Sequence, residues 1–249
     1  MSLSLSTRVS LNRSLPLCVA CCLLALATSV HGAEKKPAKD DEKGFVSLFN
    51  GKDLTGWRGN MKAWAVRDGA ITCVGGKTEK NWLIWRDGEV SDFELRLQFK
   101  FTQGNSGVQV RSKEISKWQV RGYQVEIAAH NKMGLWHHSL SPSKHRSKLA
   151  LAGQKVLIAK DGEKQVESIG DPDKIKAGCK DDQWNDLVVI ARGPRLIQKI
   201  NGVVFSDLTD HEEAYATRSG LLALQDHGKG CVAAFKNIRI KHFKTAKEK

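Results

Sequence analysis

Five apolar residues at two-residue spacing, Phe93, Leu95, Leu97, Phe99 and Phe101, alternate with Glu94, Arg96, Gln98 and Lys100. A period of two sends the apolar set to one face of an extended chain and the polar set to the other. A helix would scatter both sets around its circumference, so this stretch is a strand with one buried face. The pattern recurs twice downstream. Val108 and Val110 oppose Gln109 and Arg111, and Tyr123, Val125 and Ile127 oppose Gln124 and Glu126. Between the first two runs lies Gln103-Gly104-Asn105-Ser106-Gly107, which has the composition of a turn. Three neighbouring strands are therefore expected, with a polar face carrying Gln109, Arg111, Gln124 and Glu126. That face is where function is sought.

The rest of the chain from Gly44 reads as short strands punctuated by turns. WAVRDGAITC is a hairpin pattern with Asp68-Gly69 at its tip, a dipeptide suited to a type I′ turn. RLIQKI and VVFSDL flank Asn201-Gly202 in the same way, and GFVSLF, NWLIW, KVLIA, DLVVIA, GLLALQ and AAFKNIRIKHF supply further strand patterns. DPDKIKAGCKDDQ is compatible with one short helix. HNKMGLWHHSLSPSKHRSKLALAG has no clean period, and a segment of this kind is usually a functional loop or disordered. About a dozen short strands with turns at roughly 8–12-residue spacing imply an all-β sandwich or barrel in one domain. Trp57 and Trp64 read as core.

The N-terminus reads as an export signal over residues 1–32, with Arg8 and Arg13 ahead of the apolar run LPLCVACCLLALATSV and Val30-His31-Gly32 as a small-residue cleavage site. The apolar run is short for a bilayer of about 30 Å, so no membrane span is expected once the signal is removed. Residues 33–43 and 244–249 read as charged tails around a domain at 44–243, and the expected location is periplasmic or extracellular. Without Arg8 and Arg13, the 40 Lys and Arg fall to 38 against 27 Asp and Glu, about +11 net. A basic exported protein can contact anionic envelope polymers. No nucleic-acid-binding motif is present, and export argues against that class of partner. Of six cysteines, Cys18, Cys21 and Cys22 leave with the signal; Cys73, Cys179 and Cys231 allow at most one disulfide, and buried free thiols are the simpler reading.

The ordered series GFVSLFNGKDLTGW, DFELRLQFKF…NSGVQVRS, GYQVEI, WNDLVVIARG, INGV and GLLALQDHGKGCVAAFKNIRIK resembles the bacterial 3-keto-disaccharide hydrolase family over Gly44 to Phe243. The resemblance implies a concanavalin-like jelly-roll β-sandwich with a carbohydrate site on its concave face. It also implies cleavage of 3-keto-glycosides by removal of the C2 proton, elimination at C1 and hydration of the glucal. Many members carry an acidic residue shortly after the GY-x-V-x-I strand, where this chain has Ala128-Ala129-His130.

Such chemistry needs a base, a group that polarises the ketone, an acid for the leaving oxygen and a grip on the sugar. One carboxylate beside one cation suits elimination better than the two carboxylates of ordinary glycosidases. Glu126 is the expected base, Arg111 the polarising group, and His227, which the resemblance places near a strand end, the acid. Gln109, Gln124, Trp136 and His138 are the expected substrate contacts. Each has a plainer alternative. Glu126 and Arg111 would equally form a salt bridge on a solvated face, Gln109 and Gln124 a cross-strand amide ladder, and His227 and His138 solvated turn or loop residues. Trp136 either stacks on a sugar or plugs the core, and Glu94, Arg96 and Lys100 read as a solvated face. No cofactor is called for, although Glu126, His130, His137 and His227 could converge on a divalent metal without any ligand-spacing signature. The competing functions are a non-catalytic carbohydrate-binding sandwich and a basic adhesin.

Overall fold

A computed structural model describes residues 42–74, 79–129, 132–138, 146–228 and 230–244. Residues 1–32, read above as an export signal, most of both charged tails and His130 lie outside the described residues. Among those described, no helix is long and apolar enough to cross a membrane.

Among the described residues, seventeen strands form two sheets. In chain order they are β1 (Val46–Ser47), β2 (Trp57–Arg58), β3 (Trp64–Arg67), β4 (Ala70–Cys73), β5 (Asn81–Trp85), β6 (Phe93–Gln103), β7 (Ser106–Ser116), β8 (Gln119–Ile127), β9 (Gly134–His138), β10 (Ala150–Leu151), β11 (Gln154–Ile158), β12 (Lys164–Ser168), β13 (Asn185–Arg192), β14 (Arg195–Ile200), β15 (Val203–Asp210), β16 (Leu221–Asp226) and β17 (Val232–His242). The larger sheet runs β12-β11-β15-β14-β13-β6-β17-β4-β3, with β1 paired to β17; the smaller runs β10-β9-β8-β7-β16-β5-β2. Pairing is antiparallel except between β11 and β15. This is the all-β jelly-roll sandwich expected. The helical expectation narrows to α1 (Pro172–Ala177), capped by Asp171, whose side chain accepts from the N–H groups of Asp173 and Lys174.

The period-two reading identifies the inner faces correctly. Phe93, Leu95, Leu97, Phe99, Val108, Val110, Val125 and Ile127 are all buried in one core shared by the two sheets. Both Asn/Asp-Gly hairpins have the positive φ at two successive residues that a type I′ turn requires: Asp68 and Gly69 at 49° and 70°, Asn201 and Gly202 at 49° and 83°.

Two expectations need correction. The strands of the organising region are not three neighbours in one sheet. β6 belongs to the larger sheet and β7 and β8 to the smaller, because the turn at Gly104 carries the chain across the sandwich. Gly104 sits at φ 87°, and a Cβ there would come within 2.9 Å of Cys231 Cα, so the close approach needs glycine. The polar residues Glu94, Arg96 and Lys100 thus lie on a face separate from Gln124 and Glu126. Second, the segment read as an irregular loop contains β9, whose pairing with β8 comes from tertiary contact rather than from a legible period.

The outer face of the smaller sheet is itself covered. β7 and β8 slip register between Val110 and Lys113, where Arg111 has φ 49°, and Gly122 opposite has φ 154°. A Cβ at Gly122 would lie 2.4 Å from Ser112 Oγ. This bulge bends the hairpin. Its tip then reaches β5, two strands away: the backbone N–H of Trp82 donates to the Trp118 carbonyl at 3.0 Å, and the Gln119 side-chain amide donates to the Lys80 carbonyl. Val120 packs with Trp82, Ile84 and Ala223 in a small apolar cluster of its own. Strand residues that would face water in a flat sheet are thereby enclosed.

Candidate functional site

Register places Glu126 in a row that runs Trp82, Gln225, Gly107, Glu126, Gly134 across β5, β16, β7, β8 and β9. The next row holds Ile84, Ala223, Gln109, Gln124 and Trp136. Directly paired residues share a face, so Glu126, Gln124, Gln109, Gln225 and Trp136 occupy the same side of the smaller sheet. Glycines flank Glu126 on both neighbouring strands. At Gly107 an added Cβ would lie 2.6 Å from Gln124 Nε2, so the missing side chain makes room for that amide.

The floor is a connected amide network. Gln124 Nε2 donates to Glu126 Oε2 and, at 3.0 Å, to Gln225 Oε1; Gln124 Oε1 accepts from Gln109 Nε2 at 2.7 Å; Gln109 Oε1 accepts from Ser112 Oγ at 2.6 Å. Asn105 Nδ2 donates to Glu126 Oε1. The expected cross-strand ladder of Gln109 and Gln124 thus forms, and it fixes the orientation of the carboxylate. Glu126 is 5 % exposed. Burial pushes its carboxyl above the ordinary range, against the opposing pull of the Asn105 and Gln124 hydrogen bonds and the charges of Lys80 and Lys132.

Histidines stand at the side of this floor. His138 meets the Trp82 ring edge-on, with centroids 4.9 Å apart at 89°. Burial, with the charges of Lys80 and His227, lowers its pKa to about 4, so the imidazole is neutral at pH 7. His227, half-buried just after β16, is therefore close enough to His138 for their charges to interact. Trp136 is half-buried and lies outside both apolar clusters, so it is not a core plug. Its indole N–H donates to the Lys132 carbonyl at 2.9 Å, and Lys148 Nζ lies 5.8 Å from the ring centre. Three buried polar atoms here have no partner among the described residues: Trp82 Nε1, Asn105 Oδ1 and His138 Nδ1. Buried polar atoms are nearly always satisfied, so this cluster has hydrogen-bonding capacity for a ligand.

Arg111 does not join Glu126. The bulge at its own position turns the guanidinium toward the larger sheet, where Nε donates to the Ser91 carbonyl at 2.8 Å, one terminal nitrogen to the Gly193 carbonyl at 2.7 Å and the other to Asp92 Oδ1 at 3.0 Å. Ser91 and Asp92 lead into β6, and Gly193 joins β13 to β14, so Arg111 ties one sheet to the other. Simple alternation fails at Arg111 because φ 49° breaks the period.

His137 does not join the site either, which removes one ligand from the metal grouping considered above. It faces inward, edge-on to Tyr123 at 5.6 Å and to Tyr215 at 6.2 Å. Burial and the nearby Arg146 charge lower its pKa to about 3. Arg146, fully buried, binds Asp210 Oδ2 at 2.7 Å and Glu212 Oε2 at 2.5 Å, and the Tyr123 hydroxyl donates to Asp210 Oδ2 at 2.7 Å. This internal charge cluster sits in the interior, on the opposite side of β8 from Glu126.

Sequence reasoning did not reach Asn105, Gln225, Lys80 or Trp82. Gln225 carried a usable signal, since it continues the outward phase of β16 with Ala223. Trp82 is masked within the uniformly apolar NWLIW, and Lys80 has no periodic context.

Solved structures support the fold assignment. Two Parabacteroides distasonis proteins assigned to the glycosyl hydrolases align at TM-scores of 0.54 and 0.53, with 19 % and 18 % identity, over 84 % and 80 % of this chain and 99 % of each of theirs. A carbohydrate-binding module of Bacillus subtilis aligns at 0.50 with 16 % identity, over 75 % of this chain and 96 % of its own. In sequence, the 3-keto-disaccharide hydrolase of Bacteroides thetaiotaomicron is 29 % identical over 100 residues; the match covers 34 % of this chain and about a third (33 %) of that protein. The model of the 3-keto-alpha-glucoside-1,2-lyase-like domain matches residues 44–241. The chain therefore belongs to the family of 3-keto-alpha-glucoside-1,2-lyase-like domains.

Proposed function

We propose that this protein is an exported enzyme that cleaves 3-keto-glycosides, with Glu126 as the base that removes the C2 proton. The observation that carries this reading is a buried, amide-oriented carboxylate of raised pKa, set between glycines and beside three unpartnered polar atoms. A ketone at C3 acidifies the C2–H. Glu126 accepts that proton, the electron pair moves toward the ketone oxygen, and the resulting enolate expels the C1 oxygen to leave a 2-hydroxy-3-keto-glucal. Water then adds at C1, C2 regains a proton from Glu126, and the sum is hydrolysis. In its ionised form a carboxylate with an elevated pKa is the stronger base.

Arg111 is unsuited to polarise the ketone, and the role passes to groups on the Glu126 side. Neutral His138 can donate a hydrogen bond to the developing oxyanion, and Lys80 adds positive charge at the same edge. His227 is assigned to the leaving oxygen. Gln109 and Gln124 orient Glu126, and Trp136, in the same row as Gln124, offers an indole face to the sugar.

Incubation with a 3-keto-glucoside, followed by NMR for the glucal and for free 3-keto-glucose, tests the proposal. Glu126→Gln should reduce turnover by about 10²–10⁴, and deuterium at C2 should slow the wild type where proton abstraction limits the rate. Sugar binding with no turnover would make this a carbohydrate-binding module instead.

A further inference from the structure

Beneath the Glu126 floor lies a group that the proposed chemistry leaves unused. Cys73 Sγ, at the end of β4, and Cys231 Sγ, just before β17, are 3.6 Å apart. A carboxylate oxygen of Asp226 completes a cluster whose ligand atoms all lie within 4.8 Å. The three residues are 2 %, 0 % and 2 % exposed. β17 pairs with β4 through Ala234 with Thr72 and Phe235 with Ile71, which places the two cysteines just past the end of one ladder.

The pair touches the site from below. Cys73 Sγ is 3.9 Å from the Gln225 carbonyl, and the backbone N–H groups of Asn105 and His227 point at Cys231 Sγ. Gly104 rests directly against the Cys231 backbone, where a Cβ would meet Cys231 Cα at 2.9 Å. Asn105 holds the Glu126 carboxylate and the charge of His227 is felt at His138, so the backbone at Cys231 supports both.

We propose that Cys73 and Cys231 are joined by a disulfide that staples β4 to the segment before β17 and holds Asn105 and His227 in place; the consequence for catalysis rests on the Glu126 reading, but the bond itself does not. To bond, the sulfurs must approach from 3.6 Å to about 2.05 Å. Closure proceeds by exchange with a disulfide oxidant such as oxidised glutathione. The Cys231 thiolate attacks one oxidant sulfur and expels the other as a thiolate. Cys73, deprotonated in turn, attacks the Cys231 sulfur of the mixed disulfide and releases the remaining oxidant sulfur. Two electrons and both protons pass to the oxidant, which ends as two thiols. In the folded protein the neighbouring Cys73 thiol and the N–H groups of His227 and Asn105 hold Cys231 below the ordinary thiol range against burial and Asp226, while Cys73 is raised; the same bond results whichever of the two sulfurs attacks first. Because both thiols are buried, exchange takes place as the chain folds. The exported location expected from the sequence would supply such oxidants. A metal fits less well: among the described residues the cluster offers three ligand atoms, one short of a structural zinc site. Asp226 is also already engaged by the Gly228 N–H at 2.8 Å.

The test is to refold the full-length chain in a glutathione redox buffer, then alkylate, digest without reduction and map by mass spectrometry. The expected result is one linked peptide pair containing Cys73 and Cys231, with Cys18, Cys21, Cys22 and Cys179 alkylated. The closed loop spans 158 residue steps, so reduction should lower Tm by about 5–15 °C. Cys179→Ser should keep that shift and Cys231→Ser should lose it. Amides around Asn105 and His227 should exchange hydrogen about ten-fold faster after reduction. Alkylation of both Cys73 and Cys231, a bond to any other cysteine, unchanged exchange at these amides, or stoichiometric zinc with no linked peptide would overturn the proposal. These readouts use mass, heat and exchange rather than turnover, so they are independent of whether Glu126 is the base.

Discussion

Replacing Arg146 with alanine removes a cation that faces two carboxylates in the interior. Arg146 is fully buried; Asp210 is 0 % exposed and Glu212 5 %. Two charge-assisted hydrogen bonds are lost, at 2.7 Å to Asp210 and 2.5 Å to Glu212. Asp210 keeps the Tyr123 hydroxyl at 2.7 Å and the Glu212 N–H at 3.1 Å, so it is not stripped of partners. Breaking a buried pair by removing one member costs about 3–5 kcal/mol, and the remaining bonds to Asp210 favour the lower half of that range. Arg146→Lys should recover only part of the loss, because an ammonium cannot span two carboxylates as a planar fork does. The loss should also depend on pH. Burial pushes the Asp210 carboxyl up, but Arg146, Tyr123 and the Glu212 N–H outweigh it and leave its folded pKa below the ordinary value. A group depressed in this way stabilises the fold above its unfolded pKa of about 3.9, and the contribution disappears as pH falls through the lower folded value. Urea titrations of wild type and Arg146→Ala should therefore differ most near pH 7 and converge as pH drops below about 4. A loss under about 1 kcal/mol at pH 7, or an equal loss at pH 7 and pH 3.5, would refute the reasoning.

Three further outcomes follow from the same geometry. The acid limb of kcat/KM should lie above the ordinary carboxylate range, because burial raises Glu126 and only its ionised form accepts a proton; a pH–rate profile flat down to pH 4 would exclude Glu126 as the base. Gly107→Ala places a Cβ 2.6 Å from Gln124 Nε2, and the forced shift of the amide that orients Glu126 should cost roughly 10²-fold in turnover, with a stability loss of about 1–3 kcal/mol in denaturant titration. Leu97→Ala, at a site only 2 % exposed, should cost about 2–5 kcal/mol, and a loss below half of the lower bound in the same titration would mean that the core is not packed as described.

Much of this molecule was legible in the order of its residues. Alternation from Phe93 to Phe101 and from Tyr123 to Ile127 specifies strands and their buried sides, since a one-residue slip would turn every apolar side chain outward. Asp68-Gly69 and Asn201-Gly202 specify hairpins, because few other residue pairs tolerate positive φ twice in succession. Spacing alone puts Gln124 and Glu126 on one face, and they share it. Spacing does not reveal that the face is roofed by its own hairpin, because the bend depends on a bulge at Arg111 that breaks the two-residue period. The same bulge sends Arg111 to Asp92 and Gly193 rather than to Glu126. Asn105, Gln225, Trp82 and His138 come from four separate segments, and Arg146 meets Asp210 from a stretch with no period at all. Local sequence sets which side of a strand is apolar, because that is a matter of neighbouring residues. Which polar groups meet is decided only when distant strands pair and their register is locked.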